Sequence, residues 1–79
     1  MPRRRREPRA VAAFDSTHDA LEAESACRQE GVEGRLIPTP VSITADCGLA
    51  WSMPPAERGR FEVLATGRFD VAGIYDLEL

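Results

Sequence analysis

The chain has 79 residues, a formal net charge of −3 and 43% hydrophobic residues. This length allows one domain with a small core, which leaves little room for a deep substrate pocket and favours a binding, carrier or interaction module over an enzyme. Two Cys residues are too few for a disulfide scaffold, and no segment approaches the roughly 20 apolar residues of a membrane span. We therefore expect a cytoplasmic protein that does not enter a membrane.

Charge is unevenly distributed along the chain. Residues 1–9 carry five Arg and one Glu, whereas the remaining residues carry five Arg and twelve acids. A short segment rich in Arg and Pro cannot bury an apolar face, so we predict a disordered tail over 1–9 and a single domain over 10–79. An Arg cluster attracts phosphate, but the domain that follows is acidic and has no recognition motif, so no nucleic-acid partner is expected.

The first part of the domain predicts a strand followed by a helix. The continuous apolar run over 10–14 is typical of a buried strand. Ser16 is a good helix N-cap with Asp19 three residues later, and Gly31 is typical of the position after a helix end. Cys27 lies on the apolar stripe of this helix, where a free Cys usually packs as a small hydrophobe.

A second strand and a long loop come next. The strand is predicted over 32–37, and the two Pro residues that follow end it and indicate a sheet edge. The loop over 38–48 is long for a connection between strands, and such loops are often functional. The residues that we predict for a binding loop are Pro38, Pro40, Ser42 and Gly48.

The rest of the chain predicts a strand, a helix and a strand. Apolar residues alternate over 49–53, as in a third strand, and the Pro pair at 54–55 opens a second helix. The last strand, over 71–79, places Tyr75 and Leu77 on one face and acidic residues on the other. This alternation is typical of a sheet with one packed face and one open face.

The predicted order of elements is βαββαβ. Right-handed crossovers of the two βα units place strands one and three side by side at the centre of the sheet. We therefore predict an α+β fold of the ferredoxin-like sandwich type, with a four-stranded antiparallel sheet and two helices on one face. This fold hosts many unrelated activities, so function must be argued from individual residues.

The two thiols are the candidates for chemistry. One His, two Cys separated by twenty positions and no Gly-rich phosphate loop argue against a metal site, a dithiol motif and a nucleotide cradle, so no metal or cofactor is expected. Cys47 precedes Gly48, whose missing side chain lets another molecule approach. The adjacent Asp46 disfavours a thiolate. From the residues alone, Cys47 is either a reactive thiol or a loop cysteine with a structural role.

His18 is the only His and falls in the first turn of the predicted helix, where capping and surface roles are usual. We expect strands one and three to run parallel, which places His18 and Cys47 about a strand length apart, roughly 15 Å. A direct Cys–His pair is then not expected.

Five segments together carry a family resemblance. They are S-T-H-D-A-L-E-A-E at 16–24, R-L-I-P-T-P at 35–40, S-I at 42–43, C-G-L-A at 47–50 and V-A-G-I-Y at 71–75. The chain resembles, over 11–78, a small bacterial family named Se/S carrier protein-like. The resemblance implies a cysteine that accepts sulfur or selenium as a persulfide or selenosulfide, and Cys47 matches that cysteine. The chain departs from the family pattern at Val41, where a basic residue is common, and at Asp46, where Ser is usual.

Two function classes remain open. In the first, a cysteine desulfurase-type donor loads Cys47 and an acceptor protein unloads it by thiol–disulfide-type exchange, so the chain is a substrate of other enzymes. In the second, the chain is a non-catalytic protein-interaction or small-ligand regulatory module with a structural Cys47. A redox sensor that uses Cys47 is a third hypothesis, weakened by the lack of a nearby resolving cysteine. An accessible Cys47 favours the first class, and a packed Cys47 favours the second.

Overall fold

The computed structural model describes residues 6–43, 45 and 47–79, and over these the chain adopts an α+β fold with a four-stranded antiparallel sheet and two helices. The elements are β1 (Pro8–Ala13), α1 (Thr17–Glu30), β2 (Arg35–Pro38), β3 (Leu49–Met53), a 3₁₀ turn (Pro55–Glu57), α2 (Arg58–Ala65) and β4 (Gly73–Glu78). The strand order is β2-β3-β1-β4. No helix in this part of the chain has the length and apolar character needed to cross a membrane.

Helix α1 begins and ends as its sequence predicts. The Ser16 hydroxyl accepts a hydrogen bond from the Asp19 N–H at 3.1 Å and donates one to the Asp19 carboxylate at 2.7 Å. The hydrogen bond from Ser16, and then one from the Asp70 N–H, lower the pKa of Asp19, which keeps a negative charge in the first turn where the helix dipole favours it. Gly31 ends the helix with φ of 73°, in the left-handed region that a residue without a side chain adopts readily.

The two central strands are β1 and β3, as predicted, but they run antiparallel. Ala13 at the end of β1 lies opposite Ala50 near the start of β3. The prediction that strands one and three run parallel was therefore wrong. A right-handed crossover through α1 makes β2 parallel to β1, and the loop between β2 and β3 reverses the chain once more, so β3 must oppose β1.

The sheet begins earlier than the predicted domain boundary at residue 10. Strand β1 starts at Pro8, and Glu7 exchanges two backbone hydrogen bonds with Leu79, at 2.9 and 3.0 Å. Two residues of the predicted tail over 1–9 thus belong to a strand of the sheet. Residues 1–5 lie outside the described residues.

The main core lies between the sheet and the two helices. Its largest fully buried side chains include Trp51, Phe14 and Phe61, and residues of both helices belong to this one cluster. The ring of Phe69 contacts the rings of Phe14 and Phe61, with centroids 6.3 and 5.7 Å apart. Such tilted pairs add to the apolar burial that stabilises a small domain.

A second, smaller cluster covers the helix-free face of the sheet. It is formed by Val11, Ala13 and Ala50 together with Ile43, which reaches this face from the loop between β2 and β3. In β4, Leu77 packs against this second cluster, whereas Ile74 packs against the main core. The face of β4 with Tyr75 and Leu77 therefore turns away from the helices. The expectation that this face packs on the main core was wrong, and the apolar Leu77 packs instead on the cluster of the helix-free face.

Candidate functional site

Cys47 lies two residues before β3, and backbone hydrogen bonds fix it on both sides. Its N–H donates to the carbonyl of Phe14, the residue that follows β1, at 3.2 Å. Its carbonyl accepts a hydrogen bond from the Thr39 hydroxyl at 3.0 Å, and the Thr39 N–H donates to the Gly48 carbonyl at 2.9 Å. These contacts hold Cys47 between the end of β1 and the start of the loop, so its side chain is positioned by secondary structure.

The sulfur of Cys47 has two polar neighbours. The Leu49 N–H donates to Sγ at 3.4 Å, and the Thr17 Oγ1 lies 3.8 Å from Sγ. Either partner of the second contact can donate while the thiol is protonated, but only the Thr17 hydroxyl can donate to a thiolate. Thr17 is also the first residue of α1, and the unpaired N–H groups of a helix start favour negative charge nearby. The Thr17 hydroxyl and the Leu49 N–H are therefore both within hydrogen-bonding reach of the Cys47 sulfur.

The predicted separation of roughly 15 Å between His18 and Cys47 does not hold, because Thr17, next to His18 in the chain, contacts the Cys47 sulfur. The antiparallel pairing of β1 and β3 places the end of β1 and the start of β3 at the same edge of the sheet. The His18 side chain is exposed, and within the described part of the chain no hydrogen bond joins it to Cys47. The sequence did not lead us to predict a role for Thr17. The right-handed crossover through α1 and the chain reversal between β2 and β3 together would have placed it beside Cys47.

Cys27 lies in an apolar environment, as its position on the apolar stripe of α1 predicts. It is fully buried on α1 within the main core, which confirms the expectation of a packing role. Burial, and to a smaller extent the negative charge of Glu57, raises the pKa of Cys27 from 9.0 to about 11. A neutral, buried thiol of this kind is chemically inert at neutral pH.

Cys47 is also largely buried, with 5% of its surface exposed. It belongs to the same core cluster as Cys27, and this packing is the feature that the sequence analysis associated with a structural cysteine. The two thiols differ in their polar contacts, because no hydrogen bond reaches the Cys27 sulfur from any residue that the structure describes.

The predicted binding loop surrounds this site. Pro38 closes β2, the Pro40 carbonyl accepts a hydrogen bond from the Ile43 N–H at 2.9 Å, and the side chain of Ile43 anchors the loop on the helix-free face of the sheet. Ser42 and Gly48 are exposed. The role of Pro38, Pro40, Ser42 and Gly48 in binding stays a prediction. Asp46, expected to disfavour the thiolate, lies outside the described residues.

No group of three His, Cys, Asp or Glu side chains comes together as a metal site among residues 6–43, 45 and 47–79.

Comparison with known families gives one match. A family model with the description "Putative Se/S carrier protein-like" matches residues 9–76, a range that includes Thr17, Cys27 and Cys47. Searches of curated proteins and of solved structures find no match to the chain.

Proposed function

Because this chain belongs to the Se/S carrier protein-like family, we propose that it is a carrier that holds a transferred sulfur or selenium atom on Cys47. The observation that carries the proposal is the pair of polar contacts at the Cys47 sulfur, the Leu49 N–H at 3.4 Å and the Thr17 hydroxyl at 3.8 Å. A thiol that accepts a sulfur atom must react as its thiolate, and an N–H and a hydroxyl are both groups that can donate a hydrogen bond to a thiolate.

The transfer step is an exchange at sulfur. The Cys47 thiolate attacks the terminal sulfur of a persulfide on the donor protein, a new S–S bond forms, and the S–S bond of the donor breaks. The donor cysteine leaves as a thiolate and takes up a proton from solvent, so Cys47 becomes a persulfide without any net oxidation or reduction. Attack by an acceptor thiolate on the terminal sulfur reverses these changes and restores the Cys47 thiolate. No cofactor takes part in either step.

The burial of Cys47 sets a condition on this exchange. With 5% of its surface exposed, Cys47 reacts only when the segment around it moves aside. The hydrogen bonds that hold this segment include two from Thr39, to the Cys47 and Gly48 carbonyls, and one from the Cys47 N–H to the Phe14 carbonyl. In the closed state the same burial protects a loaded persulfide from other thiols.

The proposal includes partners of defined chemistry. The donor is a cysteine desulfurase-type enzyme that presents a cysteine persulfide, and the acceptor is a protein with a reactive thiol, both in the cytoplasm. The carrier is then a substrate of these enzymes. We interpret the βαββαβ order as a ferredoxin-like sandwich, a fold too widely used to add to the functional argument.

A second candidate is a non-catalytic interaction module with a structural Cys47. The observation in its favour is the place of Cys47 in the main core cluster, with little exposed surface. In this alternative the exposed loop residues, including Ser42 and Gly48, contact the partner, and the thiol only fills space.

Intact-mass spectrometry tests the carrier proposal. The purified chain is incubated with a cysteine desulfurase and cysteine, without reductant, and compared with Cys47→Ser and the matched control Cys27→Ala. We expect the mass of one sulfur atom to be gained by the unaltered chain and by Cys27→Ala, and not by Cys47→Ser. Selenocysteine with a selenocysteine-cleaving donor replaces cysteine in a parallel arm, which separates selenium from sulfur transfer.

Two results would count against the carrier. One is a sulfur gain that persists in Cys47→Ser. The other is no gain in any variant, together with a maleimide probe that labels Cys47 only after unfolding. The second result identifies Cys47 as structural and favours the interaction module.

A further inference from the structure

Thr17 stands out among the residues around Cys47 because capping does not account for its hydroxyl. The N-cap of α1 is Ser16, whose hydroxyl already pairs with Asp19. Within the described residues, the hydroxyl of Thr17 has one hydrogen-bond partner, the Cys47 sulfur at 3.8 Å. The hydroxyl of Thr66, by comparison, bonds back to the Glu62 carbonyl of its own helix.

We propose that Thr17 is a positioning residue for the Cys47 thiolate. Its hydroxyl donates a hydrogen bond to the sulfur and holds it, together with the Leu49 N–H, at the start of α1. This inference rests on the proposed function, since it assigns Thr17 a part in preparing the thiol that receives the sulfur or selenium atom.

The two donors come from different parts of the fold. Thr17 is carried by α1, and the Leu49 N–H belongs to the first residue of β3. The hydrogen bond from the Cys47 N–H to the Phe14 carbonyl keeps the thiol next to the segment that leads from β1 into α1. Because the donors lie on separate elements, the sulfur is fixed in two directions, and loss of either donor leaves the thiolate with one.

Loss of the Thr17 hydroxyl changes the reaction rate of Cys47, and the direction of the change depends on the role of the hydroxyl. A donor to the thiolate makes the nucleophilic form more populated, so its removal slows every reaction of Cys47 with an electrophile. A contact that merely keeps the segment around Cys47 closed has the opposite effect. In the native protein 5% of the Cys47 surface is exposed, and removal of such a contact increases this exposure and speeds the same reactions. The direction of the rate change therefore separates a positioning role from a structural one.

The test uses the full chain in a Cys27→Ala background, so that Cys47 is the only thiol. Thr17→Val keeps the shape of the side chain and removes the hydroxyl, and Thr17→Ser keeps the hydroxyl. The rate of Cys47 alkylation by iodoacetamide and the rate of sulfur loading from the desulfurase are measured at one neutral pH. We expect Thr17→Val to slow both rates about fivefold, as for the loss of one hydrogen bond of ordinary net strength, and Thr17→Ser to stay within about twofold of the parent chain.

Alkylation in Thr17→Val as fast as in the parent chain, or faster, overturns the assignment. So does a Thr17→Ser variant as slow as Thr17→Val, since the hydroxyl is then not the active group. If alkylation slows as expected while no variant gains sulfur, Thr17 still positions the thiolate and the carrier proposal fails. Circular dichroism verifies the fold of each variant, and Thr17→Ala replaces Thr17→Val in the same comparison if the latter does not fold.

Discussion

The two cysteines of this chain lie near opposite ends of the same helix and belong to the same core cluster. Cys27 is three residues from the last residue of α1, and its burial, followed by the negative charge of the nearby Glu57, disfavours its thiolate. Cys47 lies beside the first residue of α1, where the Thr17 hydroxyl and the Leu49 N–H are within hydrogen-bonding reach of its sulfur. The two buried thiols therefore differ in the polar groups within reach of the sulfur, and this difference is the basis on which the carrier proposal selects Cys47.

The largest difference between the two thiols is expected in their rates of modification. In the native protein, iodoacetamide should alkylate Cys47 about 100-fold faster than Cys27, because the raised pKa of the fully buried Cys27 lowers its own thiolate content about that much. Mass spectrometry of the proteolysed chain, sampled over time, gives the two rates separately. In urea the rates should approach each other, and a native Cys27 that reacts first would remove the basis of the comparison.

Alkaline pH should destabilise the protein through Cys27. Its pKa rises from 9.0 to about 11 on folding, so between these values the unfolded state loses a proton that the folded state keeps. The stabilisation is complete below pH 9 and is lost as the pH rises through 11, with a total of about 2–3 kcal/mol in the free energy of unfolding. Urea unfolding of the unaltered chain and of Cys27→Ala at pH 8, 9, 10 and 11 measures it, and parallel pH profiles in the two chains would contradict it.

The cap at the Cys47 end of α1 should contribute more than the rest of the exposed helix surface. Ser16→Ala removes the hydrogen bonds to Asp19 and should lower the free energy of unfolding by about 1 kcal/mol. Ser25→Ala, at an exposed position of the same helix, is the matched control and should change it by less than about 0.5 kcal/mol. Equal values from thermal or urea unfolding of the two variants would show that the cap does not stabilise this helix end.

The smallest effect is expected for the ion pair near Cys27. Arg28 and Glu24 lie 3.1 Å apart, with 75% of the Arg28 side chain exposed, so water and salt screen their attraction. Arg28→Ala should change the free energy of unfolding by less than about 0.5 kcal/mol and leave the alkylation rates of both thiols unaltered. A measurable change in Cys27 labelling would show that surface charge, beside burial, controls that thiol.

Local signals along the sequence were sufficient for the elements that local interactions determine. Ser16, Asp19 and Gly31 define α1 because caps act within one turn, and the alternation over 49–53 coincides with β3 because packing on two faces has a period of two. The apolar stripe of α1 likewise identified Cys27 as a core residue.

The pairing of distant segments was harder to predict. The contact between Thr17 and Cys47 joins residues thirty positions apart, and it depends on the direction of β3 relative to β1, which no single segment encodes. The prediction for the faces of β4 was wrong for a related reason. Ile43, from a loop, covers part of the helix-free face, and Leu77 packs against the apolar cluster that contains it. The near-complete burial of Cys47 was likewise not visible in a loop of Pro, Ser and Thr.

The hydrogen bonds between Glu7 and Leu79 have a practical consequence for handling the protein. Both residues lie at the start of β1, whereas Cys47 bonds to Phe14 just beyond its end, so about six strand residues, roughly 20 Å, separate them. A fusion partner, an affinity tag or a surface linker joined next to either residue emerges at the edge of the sheet remote from the thiol. The protein can thus be immobilised with the attachment far from Cys47, so that the labelling and loading experiments on this thiol can be carried out on a sensor surface.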